Sequence, residues 1–437
     1  MIEVFSIFAQ FLIFLIIFSF PFTPKILNNT FKVKQFNFSL IDTHSINIIF
    51  FIYFCLFFSF LNFDLTILFK IYFLLSLILI VFNLKKLNLN FKRFNFLSFF
   101  VFSLLVISIF FSIAQNLKLE WDGHHWIEKV LVFFKNNEIK ELKNVLVHNH
   151  YPHLGSYIWA FFWKNSFLEL EYFGRFFYVY FYIVAIFLIF DSLKLDNIII
   201  KLFIILFFIL ITYEPYLLAG YQEYLIFSSL ILASRFISLV DFKTPSNLRL
   251  IFLAILILYT ICWFKDEGIV YFIIFSSVLI LLLKNSNISK ISFLLVIIGL
   301  LFFQYFLQKY FVGIYDFPEK VSISAVLNDI TDLKILITKI SKIFMHCFIA
   351  FIKYPLWLLI LVSIFIQLFF INKIDNHSKY FLLCLLLNLI FIVSIFFTFR
   401  NFDFMLKVSL DRLLFQTSGF YIILLLLTIK NLKFFKK

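Results

Sequence analysis

Four small clusters of ionisable residues interrupt an otherwise apolar chain, and each could carry chemistry. The first is Asp122 with Trp126, Glu128 and Lys129. The second is Glu214 and Glu223, within Glu214-Pro215-Tyr216-Leu217-Leu218-Ala219-Gly220-Tyr221-Gln222-Glu223. The third is Lys265-Asp266-Glu267-Gly268, wedged between two apolar runs, and the fourth extends from Asp403 to Arg412, ending Ser409-Leu410-Asp411-Arg412. Carboxylates in such places can accept a proton from a hydroxyl, and Lys or Arg can grip an anionic leaving group through charge-assisted hydrogen bonds. Ionisable groups beside membrane spans are costly, which makes each of them a functional candidate. Each also has a plainer reading, because a charge at a helix end can simply anchor or snorkel at the interface. Asp411 and Arg412 could form no more than a local ion pair. His124, His125, His148, His150 and His153 could join the acids around a metal, but their spacing matches no fixed ligand pattern. A wet, aromatic interface loop explains them as well.

The elements that must position these clusters are membrane helices. Of 437 residues, 63% are hydrophobic and 14% charged, and the mean hydropathy is +1.02. A soluble domain could not hide that much apolar surface, whereas a bilayer can. The 72 Phe residues serve lipid-facing helices as Leu does and need no aromatic binding surface. The net charge of +14 comes from Lys and Arg scattered through short loops, so no nucleic-acid partner is expected. Cys55, Cys262, Cys347 and Cys384 lie far apart in apolar runs, which indicates neither a disulfide framework nor a zinc site. Met1-Ile2-Glu3-Val4 lacks a basic n-region, so a cleaved signal peptide is not expected.

Apolar runs between polar punctuation give an all-α, polytopic protein of about thirteen spans, near 4–22, 46–62, 65–83, 96–114, 172–190, 198–213, 224–240, 250–264, 269–283, 291–308, 346–371, 380–399 and 413–428. With the N-terminus outside, the inside connections are 23–45, 84–95, 191–201, 241–249, 284–290, 372–379 and the tail 429–437. These hold 19 Lys and Arg against five acids, Asp42, Asp191, Asp196, Asp241 and Asp375. That excess is what orientation in a membrane requires. It puts the four clusters on the outer side, together with two long loops, 115–171 and 309–345. Within the first, Leu154–Trp163 is apolar but too short to span, and is expected as a juxtamembrane helix in the interface.

The arrangement resembles the GT-C membrane glycosyltransferases, over about 96–428. Trp121-Asp122-x3-Trp126-x2-Lys129 resembles that family's first outer loop, where an acid follows the first core helix. Tyr151-Pro152-His153-Leu154 is similar to the Tyr-Pro-Pro/Leu-Leu that opens its juxtamembrane helix, and Gly220-Tyr221-Gln222-Glu223 to its Gly-Tyr-Ala-Asp. Lys265-Asp266-Glu267-Gly268 resembles the Lys-Asn-Glu-Gly of a bacterial branch, and Ser409-Leu410-Asp411-Arg412-Leu413-Leu414 its Ser-Leu-Asp-Arg-Leu-Leu. The chain departs from the pattern in the three spans of region 1–95, and in Ser418-Gly419 where a Pro usually follows the final Arg.

The resemblance implies a transferase at the outer face of a bacterial cytoplasmic membrane, taking a sugar from a polyprenyl-phosphate-linked donor to a hydroxyl of a glycan, lipid or protein acceptor. Asp122 is then the candidate base, and Arg412 and Lys265 the cations that receive the lipid phosphate. Glu223 and Glu267 orient sugar or acceptor, or help hold a divalent metal ion, while Trp126, Lys129 and Tyr151 complete the substrate surface. A transporter or flippase for lipid-linked glycans predicts charges near the bilayer midplane and pseudo-symmetric halves, neither of which is evident. An outer-face polymerase or ligase would share the orientation and the outer Arg, and a non-catalytic scaffold is the remaining rival.

Overall fold

The structure, a computed structural model, describes residues 2–31, 37–84, 96–115, 121–136, 138–146, 149–167, 170–193, 197–242, 248–284, 287–313, 331–370, 374–399 and 401–432. These are mostly helical, with no strand among them. In chain order the helices are α1 (Ile2–Ile17), α2 (Pro24–Phe31), α3 (Leu40–Ser59), α4 (Leu65–Leu84), α5 (Phe96–Gln115), α6 (Trp121–Phe134), α7 (Leu154–Lys164), α8 (Phe176–Asp191), α9 (Ile198–Thr212), α10 (Pro215–Leu218), α11 (Glu223–Ile237), α12 (Leu248–Thr260), α13 (Glu267–Leu282), α14 (Asn287–Leu307), α15 (Leu333–Lys353), α16 (Pro355–Phe370), α17 (Asn376–Phe396) and α18 (Phe402–Asn431). Among the described residues, eight helical stretches are long and apolar enough to cross a membrane, α3, α14, α17 and α18 among them.

Burial sorts the helices by role. α11 is buried along its whole length, α8 over Phe176–Phe190, and α18 over most of its length from Leu410 onward. A helix apolar all round belongs at the centre of a bundle. Around these three, α4, α5, α9, α14 and α16 turn exposed apolar side chains outward, such as Phe203 and Phe302, which is the surface a bilayer covers. The closest central contact is between α11 and α18. A Cβ on Gly419 would stand 2.5 Å from the carbonyl oxygen of Phe227, so only glycine lets the two backbones come this near. Ser418-Gly419 therefore sits where α18 packs on α11.

The helix Leu154–Lys164 exists as expected, and its 11 residues reach only about 16 Å, too little to cross. It does not rest half-exposed on a surface, however. Leu154 to Phe162 are all buried, with Phe161 against Phe51 and Phe69 and Trp159 against Tyr178. The chain closes over this helix because both of its faces are apolar and aromatic.

Two expected boundaries are corrected. The loop 309–345 is helical from Leu333, in α15, while its residues 314–330 lie outside the described set, as do His148 and the side chain of Asp122. The single span 346–371 is broken between Lys353 and Pro355, because Pro has no N–H to continue a helix and holds the preceding residue extended; Tyr354 has φ −95° and ψ 110°. α15 and α16 nevertheless continue in one direction along α18. Lys342 pairs with Asp403 and Lys353 with Asp411; Trp357 donates to the carbonyl of Leu414 and Gln367 to Thr428.

The N-terminal helices are built into the same bundle. The hydroxyl of Tyr53 donates to the Leu256 carbonyl at 2.6 Å, and Ser59 bonds His153 at 2.8 Å. At the opposite end of α3, Ser39 and Asp42 form a capping box, and buried Asp42 pairs with buried Arg235 at 3.4 Å. Removing one partner of such a pair strands the other charge. We expect Arg235→Ala to cost about 3–5 kcal/mol, read from unfolding of the purified protein, with part recovered in Asp42→Asn/Arg235→Met. Equal stability of the single variant and the wild type contradicts this.

Candidate functional site

Glu223 is the first residue of α11 and has no solvent exposure. Its Oε1 accepts from Lys265 Nζ at 3.0 Å and from Arg412 Nε at 2.7 Å, and Arg412 Nη2 also pairs with it. Three segments far apart in sequence thus meet on one oxygen. A carboxylate at a helix N-terminus is favoured by the peptide dipoles, and burial makes two cationic partners worth more than they are in water. Glu223 Oε2, equally buried, has no hydrogen-bond partner among the described residues.

Each cation is placed by a local feature. Lys265 follows the 3-10 turn Ile261–Trp263, and that turn can fold against the start of α13 because position 268 is glycine. A Cβ there would stand 2.2 Å from the Ile261 carbonyl oxygen. Arg412 lies within α18, its guanidinium 5.1 Å from the Tyr221 ring centroid. One turn further along, Gln416 donates to Tyr271 at 2.9 Å. Lys265 also reaches Glu267 at 3.6 Å.

An aromatic wall adjoins the cations. The Tyr151 ring stacks on Trp126 at 5.8 Å, and Lys265 Nζ stands 5.9 Å from the centre of Tyr151. Lys129, buried, donates to the Tyr151 carbonyl at 2.6 Å and to that of Asn149 at 3.4 Å, so it fastens the Tyr151 loop. Burial brings the Lys129 ammonium down to about 7 against the pull of Asp266. Asp266 in turn is pushed up to about 7, first by loss of water and then by the Glu267 charge, with Lys129 and Lys265 opposing.

All four sequence clusters contribute backbone or side chains to this region, but not every candidate does. Trp126, Lys129, Tyr151, Glu223, Lys265, Glu267 and Arg412 form one connected group. Asp122 is the second residue of α6, four and seven residues before Trp126 and Lys129 in the chain. Asp403 and Asp411 instead bind Lys342 and Lys353, and Tyr354 donates to Asp411 at 2.8 Å. Glu214 sits near Lys353 and Asp411. The histidines disperse, with His150 at 3.8 Å from Asp266 and His153 buried against Ser59, where burial and then Lys129 push it down to about 3. Tyr221 and Gln416 were not singled out in the sequence, although Tyr221 stands in the same string as Glu223. Lys265 stands between Glu223 and Glu267, and Oε2 of each carboxylate is buried with no hydrogen-bond partner among the described residues. Among the described residues, no three His, Cys, Asp or Glu gather as metal ligands do.

If Glu223 is what holds the cations, its effect must be shared with them. Glu223→Gln leaves Lys265 and Arg412 without their anion and lowers the unfolding temperature. Adding Lys265→Met recovers part of the loss, giving a coupling of about 1–3 kcal/mol in a double-mutant cycle. Additive losses in that cycle contradict the arrangement.

Set against known proteins, the chain matches no family model, no curated protein and no solved structure.

Proposed function

We propose that this chain is a membrane glycosyltransferase of the GT-C type, moving a sugar from a polyprenyl-phosphate-linked donor to an acceptor hydroxyl at the outer face of a bacterial cytoplasmic membrane. The observation that carries the reading is the meeting of Lys265 and Arg412 on buried Glu223, beside the rings of Tyr151, Trp126 and Tyr221. A lipid phosphate is a weak base, so its departure needs fixed positive charge more than a proton. Glu223 supplies the fixing, since a guanidinium and an ammonium held by one carboxylate cannot drift apart. Aromatic faces beside them offer the apolar, flat surface on which a sugar ring packs.

The reading takes about thirteen spans, counting α15 with α16 as one. Hydrogen bonds between loops support the alternation of sides. Arg249 donates to the Thr30 carbonyl and His377 bonds that of Val240, joining loops assigned to the cytoplasm. Asn136 donates to Asp64, and the Ile139 N–H to Asn62, joining loops assigned to the outside. The site lies at the second end.

The acceptor hydroxyl must also lose its proton to a carboxylate. The family resemblance points to Asp122, and the described carboxylates of the cluster are Glu223, Asp266 and Glu267, of which Glu223 is taken up by its cations.

Two outcomes test the reading. Arg412→Lys keeps the charge but loses the fork that grips two phosphate oxygens, so transfer from a polyprenyl-phosphate sugar falls roughly tenfold or more, and Arg412→Ala falls further. Full activity in Arg412→Lys removes the phosphate role. Separately, a cysteine at exposed Leu146 reacts with a membrane-impermeant maleimide on intact cells, while one in the tail 429–437 reacts only after permeabilisation. The reverse pattern puts the site in the wrong compartment.

A further inference from the structure

Three carboxylates crowd the cluster, and they differ in what they can reach. Glu223 is sealed beneath Lys265 and Arg412, and Glu267 has 17% of its side chain exposed. Asp266 has 39% exposed and borders the same two lysines that flank the aromatic wall. His150, on the Tyr151 loop, holds its Nε2 at 3.8 Å from Asp266 Oδ2, so the carboxylate is flanked from a second segment.

We propose that Asp266 is the proton acceptor of the site and that His150 positions it. This rests on the transferase reading. The acceptor oxygen bonds to the anomeric carbon of the sugar and its proton passes to an Asp266 carboxylate oxygen. The bond from that carbon to the phosphate oxygen breaks, and its electron pair leaves on the phosphate, facing Lys265 and Arg412. Atoms and charge balance, with one proton gained by Asp266 and one negative charge gained by the leaving group.

The groups around Asp266 set when it can act. Glu267 raises its affinity for a proton, and Lys129 from α6 and Lys265 lower it; His150 faces it across the loop. A base works only when deprotonated, so with a value near 7 the rate rises with pH up to about 7, where Lys129 also begins to lose its charge. Glu267→Gln removes the like charge and moves that limb to lower pH.

The test uses the full chain in proteoliposomes with undecaprenyl-phosphate hexoses as donors, and undecaprenyl phosphate alone as the binding probe. Asp266→Asn is expected to keep probe binding and lose transfer by about 10²–10⁴-fold, while Asp266→Glu recovers part of the rate and His150→Gln shifts the limb. Asp122→Asn, run beside it, loses less. The proposal is overturned if Asp266→Asn keeps more than a tenth of the rate with its pH limb unmoved, or if Asp122→Asn is the variant that abolishes transfer. Wild-type protein that binds no undecaprenyl phosphate and transfers no hexose defeats the transferase reading itself.

Discussion

A carboxylate with no access to water cannot stay charged alone, and Glu223 is that carboxylate. Its desolvation is tolerable because Lys265 and Arg412 close on one of its oxygens, and those two cations in turn could not stay so near each other without it. The requirement is reciprocal, which is why it constrains so much else. α11 must present its first residue to the end of the bundle, the turn before α13 must fold back far enough to bring Lys265, and α18 must lie against α11 at the right rotation. Gly268 and Gly419 remove the side chains that would prevent the last two.

Around that centre the energetics are those of a bundle in lipid. α8, α11 and α18 pack inward on every side, and the outer helices keep one face for the surroundings. Many polar groups inside are paired, because an unmatched donor or acceptor away from water costs energy, although Trp159 Nε1, Ser228 Oγ and Gln304 Oε1 are among the described buried atoms with no hydrogen-bond partner. The pairs that close the two ends differ in kind. Asp42 with Arg235 is a simple buried pair that ties α3 to α11, whereas Glu223 takes two cations and one of these, Lys265, also meets partly exposed Glu267. The first has the marks of architecture and the second of a place where something binds.

The sequence made the helices legible because a bilayer leaves few alternatives for long apolar runs, and the positions of Lys and Arg carry side information. It also marked Glu223, Lys265 and Arg412 as candidates, since charges amid apolar runs are rare. It could not show that they share an oxygen, because that depends on the packing of α11 on α18 and on backbone approaches at Gly268 and Gly419. The split at Tyr354-Pro355 was visible as a Pro but was overridden by continuous apolarity on both sides. Asp403 and Asp411 looked equivalent to Arg412 in sequence. They point toward α15, whose lysines occupy a helix that the polar character of the loop had concealed. The burial of Leu154–Phe162 was hidden for a different reason, as a short apolar helix reads the same whether lipid or protein covers it.

The order in which these residues are made has a consequence of its own. Arg412 belongs to the last helix and is separated from Glu223 by 189 residues. At about 5–20 residues per second, ribosomes need roughly 10–40 s to cover that distance. Throughout that interval Glu223 can meet Lys265 but not Arg412, and Lys265 is shared with Glu267. Only when α18 arrives do two cations, Lys265 and Arg412, stand against the carboxylates of Glu223 and Glu267. The cluster's charge balance therefore waits for α18.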